Sequence, residues 1–244
     1  ALTSLLKGTT KSASVAVALE DAAYAGGAAC AIGRAFPLFS AKTPARWLDS
    51  DAKARADDEE PTVRIGFTCP DGPLSDGYSS YASAAEAVRR AARLVDLPPN
   101  YLSTTAFIDE AEQAVGRLAA VGRRVQCNTI RGEALREAGY GFVWAVGQAA
   151  EEPPAVVVLS HVPAPPPGQP AVEGQAACLI GKGITYDTGG LSLKRPDAMA
   201  GMKADCAGAA ALLAAFEAAV LIGTGGRPLH LILCLAENAI GPGA

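Results

Sequence analysis

Residues 179–211 read LIGKGITYDTGGLSLKRPDAMAGMKADCAGAAA, and this stretch decides how the chain folds. An apolar run carries Lys182 between Gly181 and Gly183 and leads to Asp187. Gly189 and Gly190 break the run, Lys194 follows, and Asp205 stands where an alanine-rich segment begins. The pattern predicts a strand over 176–185 and a long helix over 203–222. A charge inside an apolar strand is costly unless it is paired or bound to a cation. Lys182, Asp187 and Asp205 therefore need one another or a metal. One reading is an ion pair between Lys182 and Asp187, with the glycines making a turn. The other is a site for a hard or borderline divalent metal, the ions that carboxylates suit. Lys182 would join such a site only as a neutral amine, and Lys194 could place positive charge beside a developing oxyanion. A phosphate-binding loop does not fit, because GxxxxGK[ST] needs Ser or Thr after the lysine and Gly183 stands there.

Working outward, Ala155–Val162 (AVVVLSHV) and Leu229–Ala236 (LHLILCLA) read as buried strands. Arg124–Ile130 reads as a strand, Gly132–Ala138 as a helix and Pro163–Pro170 as an exposed loop. Strands alternating with helices predict an α/β fold with a mainly parallel central sheet covered on both faces. Further upstream, Ala82–Leu97 sets Ala84, Ala87, Val88, Ala91, Ala92 and Val95 at helical spacing. Arg89, Arg90 and Arg93 fall on the other side, as a solvated face. Pro98-Pro99-Asn100 stops that helix, and Ser103 or Thr104 caps another running to Ala119. The first 80 residues offer strands at Ser14–Leu19 and Thr62–Phe67, a helix over Asp21–Arg34 and a turn at Asp71-Gly72-Pro73. The charge run Leu48–Pro61 reads as a solvated loop. No internal repeat is visible.

Composition narrows the class. The 244 residues are 50% hydrophobic and 19% charged, which excludes intrinsic disorder, and the 26 glycines have no collagen period. The length allows one large domain or two small ones. A net charge of −4 leaves no global basic surface, so no nucleic-acid partner is expected. No run reaches 18 apolar residues, and Glu217 interrupts Ala207–Ile222, so no membrane span is expected. The six cysteines lack any CxxC pair and read as free buried thiols in a reducing compartment. That points to the cytoplasm, with an organelle as the alternative if a transit peptide preceded Ala1. His161 and His230 lie near no nucleophile motif. The start at Ala1 and the loop-like end Gly241-Pro242-Gly243-Ala244 suggest a segment of a longer precursor.

The decisive stretch resembles the signature of the leucyl (cytosol) aminopeptidase family of two-metal exopeptidases. Lys182, Asp187, Lys194 and Asp205 reproduce the spacing of that signature. Leu97–Phe107 (LPPNYLSTTAF) resembles the family's junction after its linker helix. Val146-Gly147-Gln148 with Glu152-Pro153-Pro154 resembles its strand and loop before the catalytic sheet, and Ala236-Glu237-Asn238 its next strand end. The wording YDTGGLS, GMKADC and CLAENAIGP is most similar to the probable aminopeptidase-like branch. The resemblance is firm over 80–244 and weak before that.

The resemblance implies a macro-like α/β domain over residues 1–80 and a linker helix over 81–100. It implies the first part of a zinc-exopeptidase-type α/β catalytic domain over 101–244. It further implies peptide substrates, release of the N-terminal residue, a homohexamer and two divalent metals (Zn²⁺, or Mn²⁺/Mg²⁺) that activate a bridging water. On the family pattern Lys182 and Asp205 bind one metal and Asp187 bridges both. Lys194 polarises the scissile carbonyl, and Met202 helps line the pocket for the substrate's side chain. The match also departs from the family. The second signature, Asn-Thr-Asp-Ala-Glu-Gly-Arg, is absent. With it are missing an Asp ligand, a bridging Glu and the Arg that holds a bicarbonate. Met199-Ala200-Gly201 also lacks an acidic residue often found in that turn. The 244 residues alone are therefore expected to bind metal poorly and to show no peptidase activity. A catalytically inactive structural subunit or scaffold in a larger assembly is the alternative. A macro-domain-type nucleotide binder, drawn from the first 80 residues, is the third reading.

Overall fold

The computed structural model describes residues 12–39, 62–74, 77–164 and 175–243. The charge run at 48–61 and most of the proline-rich loop, 165–170, lie outside them. The chain forms two compact units, Ala1–Arg89 and Arg90–Ala244.

In the first unit, β1 (Ser12–Ala18) and β2 (Thr62–Cys69) pair in parallel, and the short β3 (Gly72–Pro73) turns back on β2. The Asp21 carboxylate accepts the Ala23 N–H at 2.8 Å and caps the turn into α1 (Ala25–Ala35). α2 (Tyr78–Asp96) begins in this unit. α1 approaches it closely at Gly33, where an added Cβ would lie 2.8 Å from the Ala85 carbonyl oxygen. The expected solvated arginine face is instead engaged. Arg89 donates to the Phe36 carbonyl at 3.0 Å and pairs with Glu86, and Arg93 pairs with Glu110.

The second unit holds α3 (Thr104–Ala120), β4 (Gln126–Arg131), α4 (Ala134–Glu137), α5 (Gly141–Gly147), β5 (Ala155–His161), β6 (Ala177–Asp187), α6 (Pro196–Met199), α7 (Ala207–Ile222) and β7 (Leu229–Asn238). Ser103, not Thr104, caps α3: its Oγ accepts the Ala106 N–H at 3.2 Å. The segment around Val146-Gly147 closes helix α5 and is not a strand. Its run GFVWAVG has neither strand alternation nor a helical start signal, so the strand expected there rested on the resemblance alone.

The α/β class is as expected, but the central sheet is mixed among the described residues. Its order is β4-β5-β7-β6. β6 and β7 are parallel, joined by the α7 crossover, whereas β5 runs antiparallel to both of its neighbours, β4 and β7. Fully apolar strands had pointed to a parallel sheet. β5 is apolar because it is an interior strand: Ala155, Val156, Val157 and Leu159 are all inaccessible.

α7 packs against β6 and β7. The stretch Pro196–Ile222 is apolar and long enough to cross a membrane by composition, yet half of its most apolar window is buried inside the protein. Glu217, the charge in α7, is 7% exposed and takes a two-pronged bond from Arg117 of α3, both contacts 2.8 Å. Two glycines of β6 allow α7 to approach. A Cβ on Gly181 would lie 2.7 Å from the Ala209 Cα, and one on Gly183 would lie 3.0 Å from the Ala209 Cβ. Gly181→Val is therefore expected to destabilise the second unit by about 1–3 kcal/mol, read from the urea midpoint. A midpoint equal to wild type would show that the helix can shift freely.

Candidate active site

β6 carries Lys182 at its middle and Asp187 at its end. Asp205 sits in a 3₁₀ turn, Met202–Cys206, that leads into α7. That turn is anchored by Lys203, whose ammonium donates to the last carbonyls of α2, Val95 at 2.8 Å and Asp96 at 3.0 Å. Cations at a helix C-terminus are favourable.

The pairing expected between Lys182 and Asp187 does not form. Lys182 Nζ lies 3.0 Å from Asp205 Oδ1, and Lys194 Nζ bonds Asp187 Oδ2. A register shift lies between Ile184 and Asp187; the turn before α7 brings Asp205 to Lys182, and the glycine turn after β6 brings Lys194 to Asp187. Lys182 is also not buried, with its side chain 63% exposed.

Asp187 is the most tightly held of the four. Its Oδ1 accepts the Gly189 N–H at 2.9 Å and the Asn238 amide at 2.7 Å, while Oδ2 takes Lys194. Burial pushes its carboxyl up, but the bonds from Lys194, the Gly189 N–H and Asn238 outweigh it, so Asp187 is held below the usual carboxylate range. The turn that delivers these donors needs its glycines: Gly189 has φ +88° and Gly190 φ +62°. Met202 is half-buried at the start of the 3₁₀ turn.

Asp205 Oδ2 is buried and has no hydrogen-bond partner. An ionised oxygen without a donor is costly in the interior, so this atom suits a cation. The donor chemistry is also suitable: two carboxylates and an amine favour a divalent metal over a phosphate. The set is partial, since no group of three or more His, Cys, Asp or Glu placed to hold a metal occurs among the described residues.

Sequence reasoning missed Asn238, whose contact with Asp187 spans 51 residues of chain. The only signal was its place in Ala236-Glu237-Asn238 at a strand end. It also missed a serine–histidine contact. His230 Nδ1 lies 2.9 Å from Ser160 Oγ because β5 and β7 place the two residues in register. His161 is buried with Nδ1 2.8 Å from the Arg124 carbonyl oxygen.

All six cysteines are free, as expected, but only Cys206 is buried, and Cys178 is exposed. Burial pushes the Cys206 thiol up. Maleimide is therefore expected to label Cys178 first and Cys206 last at neutral pH, checked by peptide mass mapping.

Residues 89–244 match the family model described as the cytosol aminopeptidase family, catalytic domain. The probable aminopeptidase NPEPL1 of Mus musculus is 42% identical over 222 residues, which cover 88% of this chain and 38% of the relative. The solved leucyl aminopeptidase of Trypanosoma brucei in complex with bestatin superposes with a TM-score of 0.74 at 31% identity, over 98% of this chain and 42% of that one. The bottromycin maturation enzyme BotP, solved in complex with Mn, gives a TM-score of 0.66 at 28% identity, over 95% of this chain and 44% of that one. The α/β fold of this chain is the fold of these solved aminopeptidases over the part it covers. The chain belongs to the cytosol aminopeptidase family. It spans about two fifths of the length of the relatives it matches.

Proposed function

We propose that this chain forms part of a metal-dependent aminopeptidase that removes N-terminal amino acids from peptides. The observation that carries the reading is the buried, unpartnered Oδ2 of Asp205 beside Lys182, in a member of this family. Lys182, as a neutral amine, and Asp205 would hold one divalent ion, and Asp187 would lie between that ion and a second. Zn²⁺ or Mn²⁺/Mg²⁺ fits the donors, and Mn is named for the BotP relative. Bound there, the pair would supply an activated water and a Lewis acid for the scissile carbonyl.

The chain's own residues then divide the work. Asp187 holds the Lys194 ammonium through Oδ2, so a fixed positive charge stands ready for the carbonyl oxygen as it becomes negative. Preorganised charge of this kind acts because it needs no rearrangement during the reaction. Met202, half-buried at the start of the turn carrying Asp205, would line the pocket for the substrate's first side chain. The Asp, Glu and Arg of the family's second signature, and the bicarbonate site that Arg would make, are not among these 244 residues. The domain reading is residues 1–80 as the N-terminal α/β domain, 81–100 as the linker helix and 101–244 as the first part of the catalytic domain. A homohexamer in the cytoplasm is the assembly that the family suggests, and relatives named cytosol aminopeptidase support the location.

The test is hydrolysis of Leu-p-nitroanilide with Mn²⁺. Residues 1–244 alone are expected to give none. A chimera that continues them with the downstream part of the mouse relative is expected to hydrolyse it, and to lose the activity on chelation. Hydrolysis by residues 1–244 alone would show that these residues hold a complete site.

A further inference from the structure

We infer that Asn238 is a positioning residue that fixes which oxygen of Asp187 faces the metal side of the site. The inference rests on the reading of Asp187 as a metal ligand. Asn238 is the last residue of β7 and the register partner of Asp187, the last residue of β6. Its backbone and side chain do different jobs. The backbone carbonyl holds the glycine turn, accepting the Thr188 N–H at 3.0 Å and the Thr188 hydroxyl at 2.6 Å. The carboxamide Nδ2 donates to Asp187 Oδ1 at 2.7 Å. That same oxygen accepts the Gly189 N–H at 2.9 Å.

A carboxylate oxygen has two lone pairs, and both on Oδ1 are thereby used. Oδ2, which takes Lys194, keeps its second lone pair for the metal side. Hydrogen bonding sets the orientation of the carboxamide. Its own Oδ1 rests against the turn, where a Cβ on Gly190 would lie 2.8 Å away. The reverse orientation would also set two acceptor oxygens together. Asn238 therefore acts on the metal site through Asp187, as outer partners of metal ligands do.

The separation of backbone and side-chain roles makes the inference testable on residues 1–244. Asn238→Asp is isosteric but replaces the donor with an acceptor, and Asn238→Ala removes it. Both keep the backbone carbonyl. The expected result is amide hydrogen exchange about tenfold faster at Gly189, with Thr188 unchanged as the internal control. Mn²⁺ binding, followed by the spin resonance of the free ion up to millimolar concentrations, is expected to weaken about 10–100-fold. Unchanged exchange at Gly189, or equal acceleration at Gly189 and Thr188, would overturn the inference by leaving Asn238 a merely structural role. Asp187→Asn separates the two readings. If it leaves Mn²⁺ binding as in wild type, the metal reading falls and this inference with it. If it abolishes binding while both Asn238 variants bind normally, only this inference falls.

Discussion

Replacing Lys194 with methionine in the active chimera is expected to lower kcat for Leu-p-nitroanilide by about 10²–10³, with KM little changed. The side chain keeps its length and loses its charge. Lys194 is a quarter exposed and is bonded to Asp187 Oδ2, so the ammonium is held in place before substrate arrives. An interaction made mainly in the transition state is lost from kcat, and one made equally in the ground state would appear in KM. The companion measurement is Mn²⁺ affinity. If Lys194→Met weakens metal binding as much as it lowers the rate, then Lys194 acts by orienting Asp187, and its assignment to the carbonyl is wrong.

Arg117→Leu is expected to destabilise the second unit by about 3–5 kcal/mol, the cost of leaving a buried charge unpaired. Glu217 is the group left behind, 7% exposed within the alanine-rich α7. The melting temperature should fall by roughly 2–4 °C for each kcal/mol. The double variant Arg117→Leu/Glu217→Leu should recover most of the loss, because a buried pair replaced by apolar side chains is often neutral. A double variant as unstable as the single one would show that packing of the arginine stem, and not the stranded carboxylate, sets the cost. The same pair explains why an apolar helix carries a glutamate at all: α3 supplies the partner, 100 residues away in sequence.

The site was legible in part. The four charged residues stood out because an apolar strand does not carry charge without cause, and the glycines around Lys182 because a packed strand has little use for them. Both expectations concern single positions and their near neighbours. Partners were not legible. Lys182 was set against Asp187 because the two share a strand, whereas Lys194 takes Asp187 and Asp205 reaches Lys182 from the turn before α7. Asn238 was seen only as a strand end. Its role appears when β7 is laid beside β6 in register.

The fold shows the same division. Periodicity and breakers located nearly every strand and long helix in the second unit, since these depend on side chains a few positions apart. The direction of β5, the mixed order β4-β5-β7-β6 and the helical state of Gly141–Gly147 were decided by packing. By itself, the sequence determined the α/β class and the family, and it singled out four charged residues as candidates for the site. Only the tertiary structure decided which oxygen meets which nitrogen. Such contacts depend on register between strands about 50 residues apart, and no local pattern records that register.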